Sequence, residues 1–204
     1  MLRYAITDRT RFPGDESARH AALLQQAARL AASGIDFLQV REKNLQPADL
    51  ATLARKLLAI LRTHAPAPRL LINSRADIAI AAGADGVHLT SAPGQLTPAQ
   101  IRKLYSSANL PEPVISVSCH TLAEVAQARD SAATLILFGP VFEKVAGSQL
   151  ISAGTGLDLL RTASATAAPT PVLALGGITA ENTPACLAAG AAGIAAIRLF
   201  LNLV

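Results

Sequence analysis

AGADGVHL at residues 82–89 joins the end of a helical pattern to a short strand pattern, and the same join recurs twice in the chain. It recurs as SGIDFLQV at residues 33–40 and as AGAAGIAAI at residues 189–197. In each copy a glycine follows an Ala-rich stretch. Glycine is typical just past a helix C-cap because it adopts the left-handed conformation without steric strain. The repeated join therefore indicates a repeated α/β unit.

Along the whole chain, eight strand patterns alternate with seven helical patterns. The predicted strands are Leu2–Thr7, Phe37–Arg41, Leu70–Asn73, Gly86–Leu89, Val114–Ser118, Leu135–Phe138, Val172–Leu175 and Gly193–Ile197. The predicted helices are Ser17–Ala32, Pro47–His64, Arg75–Ala82, Thr97–Tyr105, Thr121–Asp130, Gly156–Ala165 and Ala180–Ala189. Thr97-Pro98 predicts an N-cap followed by proline, and Thr121 with Glu124 predicts a capping box.

This alternation predicts one α/β domain over residues 1–204, a closed (β/α)8 TIM barrel. An open doubly wound sheet normally places a GxGxxG turn after its first strand, whereas DRTRFPGDES stands here at residues 8–17. Few residues follow the last predicted strand, so we expect a stunted or missing last helix.

Composition narrows the function classes. Hydrophobic residues make up 51% of the chain and aromatic residues 3%, and the net charge is +4. Basic residues are scattered and stacking aromatics are scarce, which argues against nucleic-acid binding and favours anionic small molecules. No segment is long and apolar enough to span a membrane. Cys119 and Cys186 have neither disulfide-scaffold nor zinc spacing, so we expect reduced thiols and a cytoplasmic location.

Polar side chains cluster where the predicted second strand ends. Gln39, Arg41 and Lys43 alternate along the chain, so an extended backbone points all three to one side. At the mouth of a barrel an amide and two cations would suit a phosphorylated or polar heterocyclic ligand. The alternative is that Arg41 and Lys43 are rim residues paired with Glu42 or Asp77.

Two further strand ends carry candidate chemistry. After the seventh strand, Gly176-Gly177 would let a phosphate approach the backbone closely and bind its free amide N–H groups. The alternative is that the two glycines only form a tight turn. Ser118 and His120 share parity at the end of the fifth strand, and a neutral histidine there is the best general acid/base in the chain. His88 could be a second such group or a hydrogen-bonded core histidine. Cys119 has the opposite parity and should pack outward.

Six segments resemble one known family, in order and over essentially the whole chain. They are YAITDR at 4–9, QVREK at 39–43, NSRADIAIAAGADGVHL at 73–89, ISVSCHTLAE at 115–124, LFGPVF at 137–142 and ALGGI at 174–178. Together they are similar to thiamine phosphate synthase and its relative TenI. The resemblance implies a TIM barrel and an enzyme of thiamine biosynthesis that acts on a thiazole phosphate.

Departures from the synthase pattern decide whether the chain is more similar to thiamine phosphate synthase or to TenI. The synthase family uses Mg²⁺ to hold the leaving pyrophosphate, with an aspartate where this chain has Ser74 and another near residues 90–93, which read TSAP. Its Thr- and Lys-bearing loop after the sixth strand is replaced by EKVAG at residues 143–147. Acidic residues are dispersed, so we expect no metal site and no cofactor, with Mg²⁺ needed only if the chain is a synthase.

TSAPGQLTPAQIR at residues 90–102 and LFGPVFE at 137–143 resemble TenI instead. That resemblance implies a thiazole tautomerase with His120 as the proton shuttle. The implied substrate-binding residues are Gln39, Arg41, Lys43, Asn73, His88 and Ser118, and the implied phosphate-binding residues are Gly176, Gly177, Ile197 and Arg198. Arg198 stands where the family usually has a small residue or serine, so it either adds a charged contact or points outward.

Two alternatives stay open. One is a divergent synthase in which Lys144 partly replaces the missing charge. The other is a catalytically silent barrel that binds thiazole or thiamine phosphate as a regulator. The expected partner is a small phosphorylated heterocycle, with no nucleic acid or membrane, and a homodimer is a further expectation.

Overall fold

The computed structural model describes residues 1–90, 94–146 and 149–201, with the backbone alone for 144–146 and 149–152. Eight parallel strands close into a barrel in the order β1-β10-β9-β6-β5-β4-β3-β2. The barrel strands are β1 Leu2–Ile6, β2 Phe37–Val40, β3 Arg69–Asn73, β4 Gly86–Leu89, β5 Val114–Cys119, β6 Leu135–Phe138, β9 Val172–Leu175 and β10 Gly193–Ala196. The helices are α1 Glu16–Ala32, α2 Pro47–Leu61, α3 Ala76–Ala82, α4 Pro98–Ser107, α5 Leu122–Asp130, α6 Gly156–Ala167 and α7 Thr183–Ala188.

The predicted (β/α)8 barrel is confirmed, and its first and last strands pair directly. Leu2 lies opposite Gly193, and Ala5 lies opposite Ala196. Observed strand bounds differ from the predicted ones by at most one residue at either end. The helices differ more, since α2 ends at Leu61 and α7 begins only at Thr183.

Local signals in the sequence explain where helices start and stop. Gly83 caps α3 with a left-handed φ of 68°, and Gly34 follows α1 with a φ of 74°. Thr121 forms the predicted capping box with Glu124, and Thr97, predicted as an N-cap before proline, forms a capping box with Gln100 as well. These caps satisfy backbone N–H groups that a helix start otherwise leaves unpaired.

Two features near the ends of strands depart from a plain barrel. An antiparallel hairpin, β7 Lys144–Ala146 and β8 Gln149–Ser152, stands between β6 and α6, and the sequence patterns did not predict it. After β10 the described residues continue as a short 3-10 turn, Arg198–Phe200. The expectation of a stunted last helix agrees with this turn.

Two apolar layers hold the barrel together. A larger one lies between the sheet and the helices. A smaller one fills the barrel interior and comprises Tyr4, Ile6, Leu71, Leu135, Leu137, Leu173 and Ala195. Cys119 is fully buried in the outer layer, as its parity predicted. None of the helices among the described residues is long and apolar enough to cross a membrane.

Candidate functional site at the carboxyl ends of the strands

The polar residues singled out from the sequence all lie on the carboxyl ends of the barrel strands or in the loops that follow. In a parallel barrel these ends meet at one rim, where side chains from neighbouring strands converge. His88 of β4 lies just below this rim, which is built from Gln39 and Arg41 at β2, Asn73 at β3, Ser118 and His120 at β5, Gly176 and Gly177 after β9, and Ile197 and Arg198 after β10.

One cavity at this rim brings the four predicted phosphate-binding residues together. It has a volume of about 210 Å³ and is lined by Gly176, Gly177, Ile197 and Arg198. Arg198 thus contributes to the cavity lining. Arg11 and Glu143 line it as well. Arg11 is ion-paired with Asp8 at 3.0 Å, whereas Arg198 forms no ion pair within the described residues, so the guanidinium of Arg198 is the cation available to an anionic group.

Backbone groups of the β9–α7 loop are available in this cavity. Gly176 and Gly177 both have left-handed backbones, with φ values of 93° and 66°. The amide N–H groups of Gly177 and Ile178 meet no acceptor in the part of the chain that the structure describes. Unpaired amide groups beside two arginines are a typical setting for a phosphate.

The same glycines are also required by packing against the β6–β7 loop. A Cβ atom on Gly176 would lie 2.6 Å from the Cα and Cβ of Pro140, and one on Gly177 would lie 2.7 Å from the Cβ of Phe142. Phe142 donates its amide hydrogen to the carbonyl of Gly176 at 3.1 Å. The two loops therefore pack directly against each other as one unit, and the tight-turn interpretation accounts for only part of the need for glycine.

His120 is oriented by this unit. Its Nδ1 lies at hydrogen-bond distance from the carbonyl oxygen of Gly139, immediately before Pro140. A carbonyl only accepts, so Nδ1 carries the hydrogen, and in the neutral ring Nε2 is the basic nitrogen. Its own amide N–H donates to Glu124. The side chain is exposed at the end of β5.

The carboxyl end of β2 supplies polar groups without protein partners at another part of the rim. Gln39 is 1% exposed and donates to Asn73 Oδ1 at 2.8 Å, while its own Oε1 has no partner among the described residues. Arg41 is half-buried, and its guanidinium forms no ion pair within the described chain. Lys43 is exposed at the outer rim. A strand end that carries an unpaired acceptor and two cations is suited to a polar, anionic ligand.

The alternative pairing of Arg41 and Lys43 with acidic neighbours is wrong. Glu42 is buried and accepts hydrogen bonds from the amide and the guanidinium of Arg9, the latter at 3.0 Å. Asp77 pairs with Arg75, which holds the pKa of that carboxyl below its usual range. The Arg9–Glu42 pair is buried on both sides and fixes the β1 and β2 loops to each other.

His88 lies inside the barrel just below the rim. Its Nδ1 is 2.8 Å from Ser116 Oγ, and its Nε2 is 2.9 Å from Ser118 Oγ. Burial, with a smaller contribution from the charge of Arg41, lowers the pKa of His88 to about 3. The ring is therefore neutral at ordinary pH and is not a second acid/base at the rim.

Sequence reasoning missed two contributors to the rim. Arg11 follows β1, and barrel closure brings it beside β10 and into the cavity with Arg198. Its position after the first strand was a usable signal. Gly139, which orients His120, acts through its carbonyl oxygen, and no side-chain pattern reports a backbone acceptor.

Comparison with known proteins places the chain among related sequences and structures. The sequence profile of the family described as thiamine monophosphate synthase matches residues 3–200. A provisionally named thiamine-phosphate synthase from Geobacter sulfurreducens is 40% identical, covering 97% of this chain and 85% of the relative. A thiamine-phosphate synthase from Methanoculleus marisnigri is 34% identical, covering 95% of this chain and 84% of the relative. The thiamine phosphate pyrophosphorylase structure from Pyrococcus furiosus superimposes with a TM-score of 0.76 at 26% identity, covering 96% of this chain and 85% of that structure.

Proposed function

The chain belongs to the thiamine monophosphate synthase family, whose members serve thiamine biosynthesis, and we propose that it is a metal-independent thiazole phosphate tautomerase. The observation that carries the proposal is the hydrogen bond from His120 Nδ1 to the Gly139 carbonyl. It defines a single basic nitrogen at the rim, held by a rigid loop.

The proposed reaction moves one proton within the substrate. His120 Nε2 removes a hydrogen from the thiazole ring carbon, the electrons of that C–H bond shift through the ring to the exocyclic double bond, and the imidazolium returns the proton to the exocyclic carbon. No proton is gained or lost overall, and the product ring is aromatic. One acid/base group and an anchor that holds the ring in place are sufficient for this chemistry.

The anchor is the cavity between β9 and β10. Gly177 and Ile178 offer amide hydrogens, and Arg198 and Arg11 offer charge, to the substrate phosphate. Across the rim, Arg41 and Lys43 are available to bind a carboxylate of the ligand. Gln39 Oε1 is available to accept a hydrogen bond from a donor on the ligand. Asn73 holds Gln39 in that orientation. The ligand is thus expected to be a small heterocycle that carries a phosphate and a second anionic group.

A second candidate is thiamine phosphate synthase itself, and the names of the relatives favour it. That reaction uses Mg²⁺ to hold pyrophosphate, and the residues at the corresponding positions do not fit such an ion. Ser74 offers a neutral hydroxyl that already accepts from Asn73 Nδ2 at 3.3 Å. Among the described residues no three His, Cys, Asp or Glu side chains come close enough to share a metal. We therefore rank the synthase second.

An assay by proton NMR distinguishes the three possible functions: tautomerase, synthase and silent regulator. Aromatisation of the ylidene carboxythiazole phosphate is followed in chelator-treated buffer with wild type, His120→Ala and, as matched control, His20→Ala on α1. We expect acceleration by wild type and the control and its loss in His120→Ala. Loss of about 2 to 4 orders of magnitude is typical when a general acid/base is removed.

Other outcomes favour the other functions. Binding without acceleration, followed by thiamine phosphate formation when aminopyrimidine diphosphate and Mg²⁺ are added, would replace the tautomerase by the synthase. Binding with neither reaction would leave the regulator.

A further inference from the structure

A single file of hydrogen-bonded groups runs up the inside of the barrel to the rim. Tyr4 Oη lies 2.9 Å from Ser116 Oγ, Ser116 Oγ lies 2.8 Å from His88 Nδ1, and His88 Nε2 lies 2.9 Å from Ser118 Oγ. Tyr4 and Ser116 are fully buried and His88 is 3% exposed, whereas Ser118 is half-buried at the upper end. The barrel strands β1, β4 and β5 supply the four groups.

The lower end of this file is closed by apolar side chains. Tyr4 packs among the interior cluster, with its ring 5.6 Å from that of Phe37. Ser116 is the one hydrogen-bond partner that its hydroxyl has in the described chain. Burial raises the pKa of Tyr4, so it stays a phenol. Its hydrogen must therefore go to Ser116, because an unpaired buried donor costs about 1–3 kcal/mol.

That one donation fixes every other hydrogen in the file. Ser116 accepts from Tyr4 and sends its own hydrogen to His88 Nδ1. His88 then carries its hydrogen on Nε2 and donates it to Ser118 Oγ. If every hydrogen bond ran in the opposite direction, the phenol hydrogen of Tyr4 would have no acceptor among the apolar side chains around it. If Tyr4 and His88 both donated to Ser116, the hydroxyl hydrogen of Ser116 would have no acceptor.

We propose that Tyr4, Ser116 and His88 are positioning residues that make Ser118 a fixed hydrogen-bond donor to the ligand. Since Ser118 accepts from His88, its own hydrogen is free to leave the file and has no other acceptor among the described residues. Two residues later, His120 has the opposite tautomer and offers a lone pair. The end of β5 thus presents one donor and one base side by side.

This arrangement specifies the chemistry of the ligand, an inference that rests on the proposed function. The ligand needs an acceptor atom, such as a carboxylate oxygen or a ring nitrogen, close to the C–H that loses its proton. When His120 removes that proton, negative charge develops on the conjugated acceptor. A donor already aimed there stabilises the charge without reorganisation.

The tautomers are measured directly by nitrogen-15 NMR of histidine-labelled protein, with His88→Gln and His120→Gln identifying each ring by the signals they remove. We expect a protonated Nε2 and an unprotonated Nδ1 in His88, and the opposite pattern in His120. A protonated Nδ1 in His88 would overturn the proposed direction of the file. This readout does not depend on any enzymatic activity.

The ligand contact is measured by calorimetric titration with carboxythiazole phosphate. We expect Ser118→Ala to weaken binding about tenfold, equivalent to 1.4 kcal/mol, and Ser118→Thr to restore most of it because threonine keeps the hydroxyl. Ser106→Ala on the surface of α4 is the matched control and should bind as wild type. Unchanged binding by Ser118→Ala would overturn the donor role, whereas binding without tautomerisation would refute the proposed function alone.

Discussion

The buried ring of His88 should make folding stability depend on pH. In the folded protein its pKa is about 3, against 6.5 for an ordinary histidine. When the pH falls below 6.5, this histidine is protonated in the unfolded chain but stays neutral in the folded one. The free energy of unfolding therefore decreases. Each pKa unit corresponds to 1.36 kcal/mol, so this ring accounts for up to about 5 kcal/mol between pH 6.5 and pH 3.

The assay compares urea unfolding of wild type and His88→Gln across this range. Glutamine keeps an amide donor and acceptor for the two serines but does not titrate. Wild type should lose about 2 kcal/mol more than the variant between pH 6.5 and pH 5. His64→Gln, at the surface beyond α2, is the control and should follow wild type. Parallel pH curves for wild type and His88→Gln would refute the argument that this ring is kept neutral by burial.

Three other perturbations test the loops around the rim. Gly176→Ala places alanine in a left-handed backbone conformation and brings its Cβ against the backbone of Pro140, so thermal unfolding should show a loss of about 2–4 kcal/mol in the free energy of unfolding. The control Gly34→Ala, where no atom lies within 4 Å of the new Cβ, should lose about 1–2 kcal/mol. Arg9→Met leaves the buried carboxylate of Glu42 without its cation and should cost about 3–5 kcal/mol in urea unfolding, most of it recovered when Glu42→Leu is added. Arg11→Gln should weaken binding of inorganic phosphate about tenfold and flatten its salt dependence, with fold and melting temperature unchanged.

The barrel was predictable because its signals are local. A glycine after each of several helices, a capping residue before others, and short apolar runs between them define the units, and parallel strands joined by helices close in few ways. Parity along a strand likewise placed Ser118 at the rim and Cys119 in the outer core. Such assignments need only the geometry of one strand.

What escaped prediction depends on contacts between distant segments. Glu42 could have paired with Arg41 next to it, but Arg9 reaches it across two loops. The choice depends on how the β1 and β2 loops pack. His88 was equally compatible with a rim acid/base and a core residue, and only its two serine partners decide for the core. The β7–β8 hairpin has no strong strand pattern of its own.

The cavity at the rim takes Arg11 from the loop after the first strand and Arg198 from the turn after the last. These two residues meet only when β1 pairs with β10, the contact of longest sequence separation in the barrel. A nascent or partly unfolded chain can hold seven strands in place and still lack the cavity. Ligand binding therefore favours the closed barrel over intermediates in which β1 and β10 are apart, and a phosphate compound added during refolding should stabilise the state in which these two strands have paired.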